Sequence, residues 1–267
     1  MTDIYSLKQP LFSGTETLLE RIAQSCTEPR IEFFVAGATA REVILTHLHG
    51  RRSGRHTRDI DIAIFIKDWQ QFSALKQVIL AQGAEEIKGN AHRLVWDGNE
   101  LDIIPFGEIA EENAIAWPPD RDFVMSVDGF QEAFKSAISI QLSSGTVIRF
   151  CSLPGLLLLK LFAWRDRGAE VSRDAVDIFN ILKEYSAVEE DRLYDNDKWG
   201  EQVDWNPDRL GARLAGSDTA LISSPELRQA VLALDKERLK DTITRHTSGS
   251  TSEDIDMMID DFWAAFS

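Results

Sequence analysis

The chain has 267 residues, enough for about two domains of ordinary size and for a substantial buried core. With 43% hydrophobic and 27% charged residues, 16 Gly and 8 Pro, the composition excludes disordered, collagenous and fibrous classes. A formal net charge of −15, from 29 Lys and Arg against 44 Asp and Glu, excludes a protein that grips nucleic acid with its whole surface, so any such contact is local.

Met1 to Pro10 carries Asp3 and Lys8 but no apolar core of signal-peptide length, which predicts a cytoplasmic location. Residues 16 to 26 place Leu18, Leu19, Ile22 and Ala23 at helical spacing and predict an amphipathic helix. The 2 cysteines, Cys26 and Cys151, are too few and too far apart for a disulfide framework or a structural zinc site, so both are expected reduced and buried. Ile31 to Ala36, apolar and rich in aromatic and β-branched residues, reads as a buried strand that ends at the turn residue Gly37. The helix that follows has Thr39 and Glu42 at capping-box spacing and runs to about Leu48, stopping at Gly50. Between Arg41 and Arg58 the chain sets Arg41, Arg51, Arg52, Arg55, Arg58, His47, His49 and His56 against a single acid, Glu42. Such a basic island is either an anion site or a solvated loop. His47 and His49, two apart on a predicted helix, lack metal-ligand spacing and are expected at the surface or near phosphate.

Asp59 to Ile66 is the clearest strand, because Ile60, Ile62, Ile64 and Ile66 alternate strictly and must share one face. Asp59 and Asp61 then lie on the other face, roughly 7 Å apart by the strand rise. A helix from Asp68 to Gln82 follows. Arg93 to Asp97 and Glu100 to Pro105 predict two strands joined by a Gly98-Asn99 hairpin turn. Asp102, flanked by Leu101 and Ile103, lies opposite an apolar face. Near Cys151 the pattern changes from strands to helices, which places a boundary between a domain at 1–150 and a helical one at 151–267. The longest apolar run, Leu153 to Trp164, is interrupted by Gly155 and Lys160 and falls short of the ~20 residues that span a bilayer. Helices are predicted from Ser152 to Arg167, from a Ser172 cap to Tyr185, from Glu226 to His246 and from Glu253 to Phe266. Ala187 to Asp208, acidic with Trp199 and Trp205 embedded, reads as a surface excursion packed by its tryptophans.

Asp59, Asp61 and Asp102 gather like charge on strand faces and call for a compensating cation. Mg²⁺ (or Mn²⁺) suits carboxylate oxygens shared with substrate phosphates. The bland alternative is a solvated strand with alternating acids, against which the buried isoleucine face weighs. Gly37, Ala38 and Thr39 open a helix whose first N–H groups suit phosphate, unless this is an ordinary strand-to-helix turn. Lys160 lies on a helix that is apolar nearly all round, where an unpaired ammonium is costly. It needs Asp174 or Asp177, three apart on one helix face, or a nucleotide phosphate toward which those aspartates orient it. Arg167 and Arg173 are phosphate contacts or surface salt bridges.

These residues resemble the nucleotidyltransferase superfamily related to DNA polymerase β. The likeness lies in a glycine turn with a small partner (Gly37-Ala38), a helix, a strand with alternating aspartates (Asp59, Asp61) and a later third acid, Asp102. A second set, Lys160, Asp166, Arg167, Arg173-Asp174 and Asp177, is similar to the AbiEii/AbiGii-type toxin nucleotidyltransferases. Both sets together cover roughly residues 31 to 182. Ala38 stands where a second Gly or Ser is more usual, and the segment from Gly50 to Thr57 lengthens the approach to Asp59.

The resemblance implies an α+β fold: a polymerase-β-like mixed sheet with flanking helices, then a helical C-terminal domain contributing to the nucleotide cleft. It implies metal-dependent transfer of a nucleoside monophosphate from a triphosphate to an acceptor hydroxyl. Asp59, Asp61 and Asp102 are then the metal ligands, Asp102 also activates the acceptor, and Lys160 and Asp174 complete the catalytic set. Gly37, Ala38, Thr39, Arg58, Lys160, Arg173 and Asp177 bind the nucleotide. The partners implied are a nucleoside triphosphate, an RNA acceptor such as the tRNA 3′ end, and an antitoxin protein, with no membrane. A catalytically degenerate nucleotide-sensing or protein-binding module is the main alternative, against which the presence of all three acids weighs. A metal-dependent phosphatase or nuclease is disfavoured, since its expected Thr or Val after the paired aspartates is missing.

Overall fold

A computed structural model describes residues 3–51 and 59–266. The expectations for Arg52, Arg55, His56 and Arg58 lie outside the described residues. The chain forms two compact units, Met1–Ser152 and Leu153–Ser267.

The first unit runs β1 (Ile4–Ser6), α1 (Ser13–Thr27), β2 (Glu32–Ala36), α2 (Gly37–Glu42) with a π-helical continuation (Val43–Leu48), β3 (Ile60–Phe65), α3 (Trp69–Ala81), β4 (Glu85–Glu86), β5 (Arg93–Trp96) and β6 (Asn99–Phe106). It continues with β7 (Ala114–Ala116), β8 (Val124–Ser126), α4 (Phe130–Lys135), β9 (Ile138–Gln141) and β10 (Val147–Phe150). Among the described residues, eight strands form one mixed sheet in the order β1-β9-β10-β2-β3-β6-β5-β4, while β7 and β8 pair separately. The α+β class and mixed sheet expected from the sequence are thus present, although β1, β4, β7 to β10 and α4 carried no signal strong enough to predict.

Alternation along β3 divides the sheet into two faces. Ile60, Ile62 and Ile64 are at most 3% exposed, and their register partners Leu101, Ile103 and Val35 extend the apolar face across β6 and β2. Helices α1 and α3 pack together over it, with Arg21 of α1 donating to the Gln82 carbonyl at the end of α3 and stacking 4.4 Å above the Trp96 ring. Asp61, Ala63 and Phe65 occupy the other face. At one end of it Phe34, Phe65 and Phe106 meet Phe134 of α4, with the Phe65 and Phe134 rings stacked at 5.7 Å. The aspartates lie at the end away from this cluster.

Three local expectations are corrected here. Helix α2 begins at Gly37 rather than after Thr39, so no side chain caps it and the Thr39–Glu42 capping box does not form. The Thr39 hydroxyl donates instead to the Asp59 carbonyl at 2.8 Å. The hairpin turn is Asp97-Gly98, whose φ values of 51° and 75° are both left-handed, not Gly98-Asn99. His47 is only 5% exposed, its Nδ1 is 3.2 Å from the Gln9 carbonyl and its ring meets Phe12 edge-on, so it is a packing residue and not a surface one.

The second unit is helical: α5 (Leu153–Arg167), α6 (Arg173–Val188), a 3₁₀ turn (Glu190–Arg192), α7 (Asp197–Gln202), α8 (Pro207–Ile222), α9 (Pro225–Leu232), α10 (Lys236–His246) and α11 (Ser252–Ala264). Helix α8 packs against α5, α6 and α11 at its centre. The single helix expected from Glu226 to His246 is two, because the Asp235 carboxylate accepts from the Arg238 N–H and starts α10 anew. Ser172 stands at the start of α6 but makes no capping bond. The excursion from Ala187 to Asp208 is partly helical, with Trp199 packed against Leu193, Val203 and Leu210. Both cysteines are buried thiols; burial pushes Cys26 up to about 12 and Cys151 higher still. Among the described residues no helix is long and apolar enough to cross a membrane.

Candidate active site

Pairing across four strands aligns Ala36, Asp61, Asp102 and Arg93 in one row, since Ala36 pairs with Asp61, Asp61 with Asp102 and Asp102 with Arg93. Register partners point to the same side of a sheet, so the row places the Asp61 and Asp102 carboxylates side by side on adjacent parallel strands. Asp59 is exposed, two residues before Asp61, and its carbonyl is held by Thr39. Glu100, two residues before Asp102, adds a further acid to the same strip.

Gly37 has a specific reason to be glycine. Its φ is +61°, and a Cβ built there would lie 1.9 Å from Oδ2 of Asp61. The carboxylate therefore occupies the space a side chain would fill and sits against the opening of α2, where N–H groups favour negative charge. Turn, helix and strand are locked together by this contact and by the Thr39–Asp59 bond.

Arg93 is the residue that sequence reasoning missed. Its Nε and Nη2 donate to the two oxygens of Asp102, both at 2.6 Å, and its Nη1 donates to Glu100 at 2.7 Å. The Asp102 hydrogen bond raises the guanidinium pKa above its ordinary value against the opposing effect of burial, and the charges of Asp102, Glu100 and Asp59 add to the rise. Next to it, His92 is pushed below its ordinary pKa by burial, with Asp102 pulling upward and Arg93 downward. The His92 ring lies against Trp117 and parallel to Phe123, which is 53% exposed.

The acids suit a divalent cation in donor chemistry: hard oxygens on adjacent strands, one of them in a cradle only glycine permits. Their arrangement does not complete a ligand set. Both Asp102 oxygens face the Arg93 fork, and among the described residues no group of three His, Cys, Asp or Glu side chains is placed to hold a metal ion.

The other predicted residues form a cluster of their own in the helical unit. Lys160 bonds Asp174 at 2.9 Å and Asp177 at 2.8 Å, and Arg167 grips Asp174 through Nε at 2.7 Å and Nη2 at 3.0 Å. Asp174 is 1% exposed, so it is a buried carboxylate shared by two cations. Burial opposes both charges. For Lys160 the charges of Asp177 and Asp174 outweigh it and hold the ammonium above its ordinary pKa; for Asp174 its bonds to Arg167 and Lys160 hold the carboxyl below. Arg173 opens α6 beside them.

No protein-family model matches the chain, and the search of curated proteins gives no match. Solved structures with a similar course include ANT(2'')-Ia in complex with adenylyl-2''-tobramycin, at 13% identity and a TM-score of 0.42 over 64% of this chain and 88% of that one. A solution structure of the antibiotic-resistance factor ANT(2'')-Ia gives 14% and 0.41, covering 73% and 97%. An antigenic nucleotidyltransferase-like protein from Paracoccidioides brasiliensis gives 16% and 0.41, covering 73% and 94%.

Proposed function

We propose that the chain is a nucleotidyltransferase of the DNA polymerase β-like kind, moving a nucleoside monophosphate from a triphosphate to an acceptor hydroxyl. The observation that carries this reading is the register pairing of Asp61 with Asp102 on parallel strands, with Asp59 just before the strand and Gly37 making room for the Asp61 carboxylate. In the reaction the acceptor oxygen bonds the α-phosphorus, the bond to the bridging oxygen breaks, and pyrophosphate leaves. Asp59 and Asp61, with Asp102, are the residues that would hold Mg²⁺ or Mn²⁺, which when bound neutralises triphosphate charge. Asp102 would take the acceptor proton once freed from Arg93, while the turn at Gly37, Ala38 and Thr39, with Arg58, is assigned to the triphosphate. The roles of Arg173, Asp174 and Asp177 in nucleotide binding rest on the resemblance; that of Lys160 rests also on its need for an anion on an apolar helix, a need that Asp174 and Asp177 meet in the free protein. An RNA acceptor such as the tRNA 3′ end, a toxin role and an antitoxin partner rest on the resemblance alone.

The hold of Arg93 on Asp102 favours a second reading, a catalytically silent nucleotide-sensing or protein-binding module. Incubating the protein with each α-labelled triphosphate, Mg²⁺ and total RNA, beside Asp61→Asn, separates the two. Transfer reading: label enters a macromolecule with wild type and not with the variant. Label entering nothing, or entering equally with both, leaves the silent module.

A further inference from the structure

The carboxylates of Asp61, Glu100 and Asp102 share one strip of the sheet, Asp59 lies just before β3 and close enough for its charge to act on Arg93, and Arg93 is bonded to Glu100 and Asp102. We propose that Arg93 is a resident counter-cation of this strip and competes with a divalent cation for Asp102, so that metal binding requires the guanidinium to leave Asp102. Arg93 is thus a positioning residue. The inference rests on the reading of the strip as a metal site, and deepens it by naming what keeps that site incomplete in the free protein.

The geometry supports an exchange rather than a permanent brace. The planar fork faces both Asp102 oxygens, which are the atoms a metal would need, and a dication brought beside a guanidinium is repelled. The Arg93 side chain is 33% exposed, so it is not walled in. Its third donor already rests on Glu100, which is 43% exposed and gives the guanidinium a second seat after Asp102 is released. Two states follow: Arg93 shared between Asp102 and Glu100, or Arg93 on Glu100 with Asp102 turned to the metal. The hairpin delivers Arg93 opposite Asp102 by register, so the competition is built into the strand pairing.

The test is Mn²⁺ binding to the full chain, read from the electron paramagnetic resonance signal of free Mn²⁺, in wild type, Arg93→Met, Asp102→Asn and the double variant. Arg93→Met should bind Mn²⁺ tighter by about tenfold, within the ~5–150-fold range of linked equilibria. In the Asp102→Asn background the same change should have little effect, because the contested carboxylate is gone. Equal tightening in both backgrounds shows only the loss of a nearby positive charge and overturns the competition. Wild type that binds Mn²⁺ with Arg93→Met no tighter overturns it too, leaving the transfer reading intact. Absence of Mn²⁺ binding in every variant overturns the inference and the metal site together, and the labelling experiment then decides the transfer reading separately. Should Arg93→Met fail to fold, Arg93→Lys keeps the charge, loses the fork and is expected to tighten binding to a smaller degree.

Discussion

At the scale of single residues, Gly37 and Asp61 act as one unit. A side chain at position 37 meets two obstacles: a left-handed backbone, which disfavours an L-residue by about 1–2 kcal/mol, and the Asp61 carboxylate in the volume a Cβ needs. Gly37→Ala should therefore destabilise the protein more in the wild-type background than beside Asp61→Ala, where only the backbone cost remains. Denaturant melts of the four proteins in this cycle give the coupling, expected on the order of 1–3 kcal/mol. Additive effects would mean that the carboxylate turns aside freely. Arg93 makes the complementary point. No motif marks it, and an arginine at a strand start is unremarkable until its partner across the hairpin is known.

At the scale of elements, that hairpin shows how one residue of turn position alters a site. With Gly98-Asn99 as the turn, Asp102 would pair with Val95 and Arg93 would fall beyond it. With Asp97-Gly98, Trp96 pairs with Asn99 and Arg93 arrives opposite Asp102. Both Asp97 and Gly98 have positive φ, which a type I′ turn demands of its two central residues. Gly98→Val, a β-branched residue forced left-handed, should cost about 1–2 kcal/mol and loosen the Arg93–Asp102 register. Asp97→Asn should keep the turn, since asparagine tolerates this conformation. Urea melts of both variants check the contrast, and equal stability of Gly98→Val and wild type would discount the turn as the register's source. Helix α2 shows a related effect: its sequence fits a capping box, but the helix already starts at Gly37, which leaves Thr39 inside the first turn with its hydroxyl on the Asp59 carbonyl.

At the scale of the whole molecule, the net charge of −15 and the buried cluster in the helical unit pull stability in opposite directions as pH falls. Protonating surface carboxylates relieves self-repulsion. Asp174 works the other way: its folded-state pKa lies below 3.8, so the stability it contributes is present above that ordinary value and is lost as pH falls through the folded one. Lys160, raised above 10.5, contributes stability that is present below that value and is lost only as pH climbs through the raised one. Asp174→Asn should therefore melt well below wild type at neutral pH, with the gap narrowing below about pH 4 as wild type loses the same charge. Thermal melts from about pH 3 to 7 measure it. A constant gap across that range would show that the ion pairs contribute no net stability.

The sequence by itself determined the elements whose information is local and periodic: the isoleucine face of β3, the α1 and α3 helices, and the strand-to-helix change near Cys151. It also named the members of the Lys160, Asp174 and Asp177 cluster, because a lysine on an apolar helix must find an anion. What it left undecided depends on pairing between distant segments. Which strand lies beside β3, and in what register, decides that Asp61 meets Asp102; which two residues make the hairpin turn decides that Arg93 meets Asp102 from the other side. Strand pairing between separate segments is set by the packing of both sheet faces, and a one-residue shift in register changes every cross-strand neighbour. That is why the acids could be read from the chain and the cation that holds one of them could not.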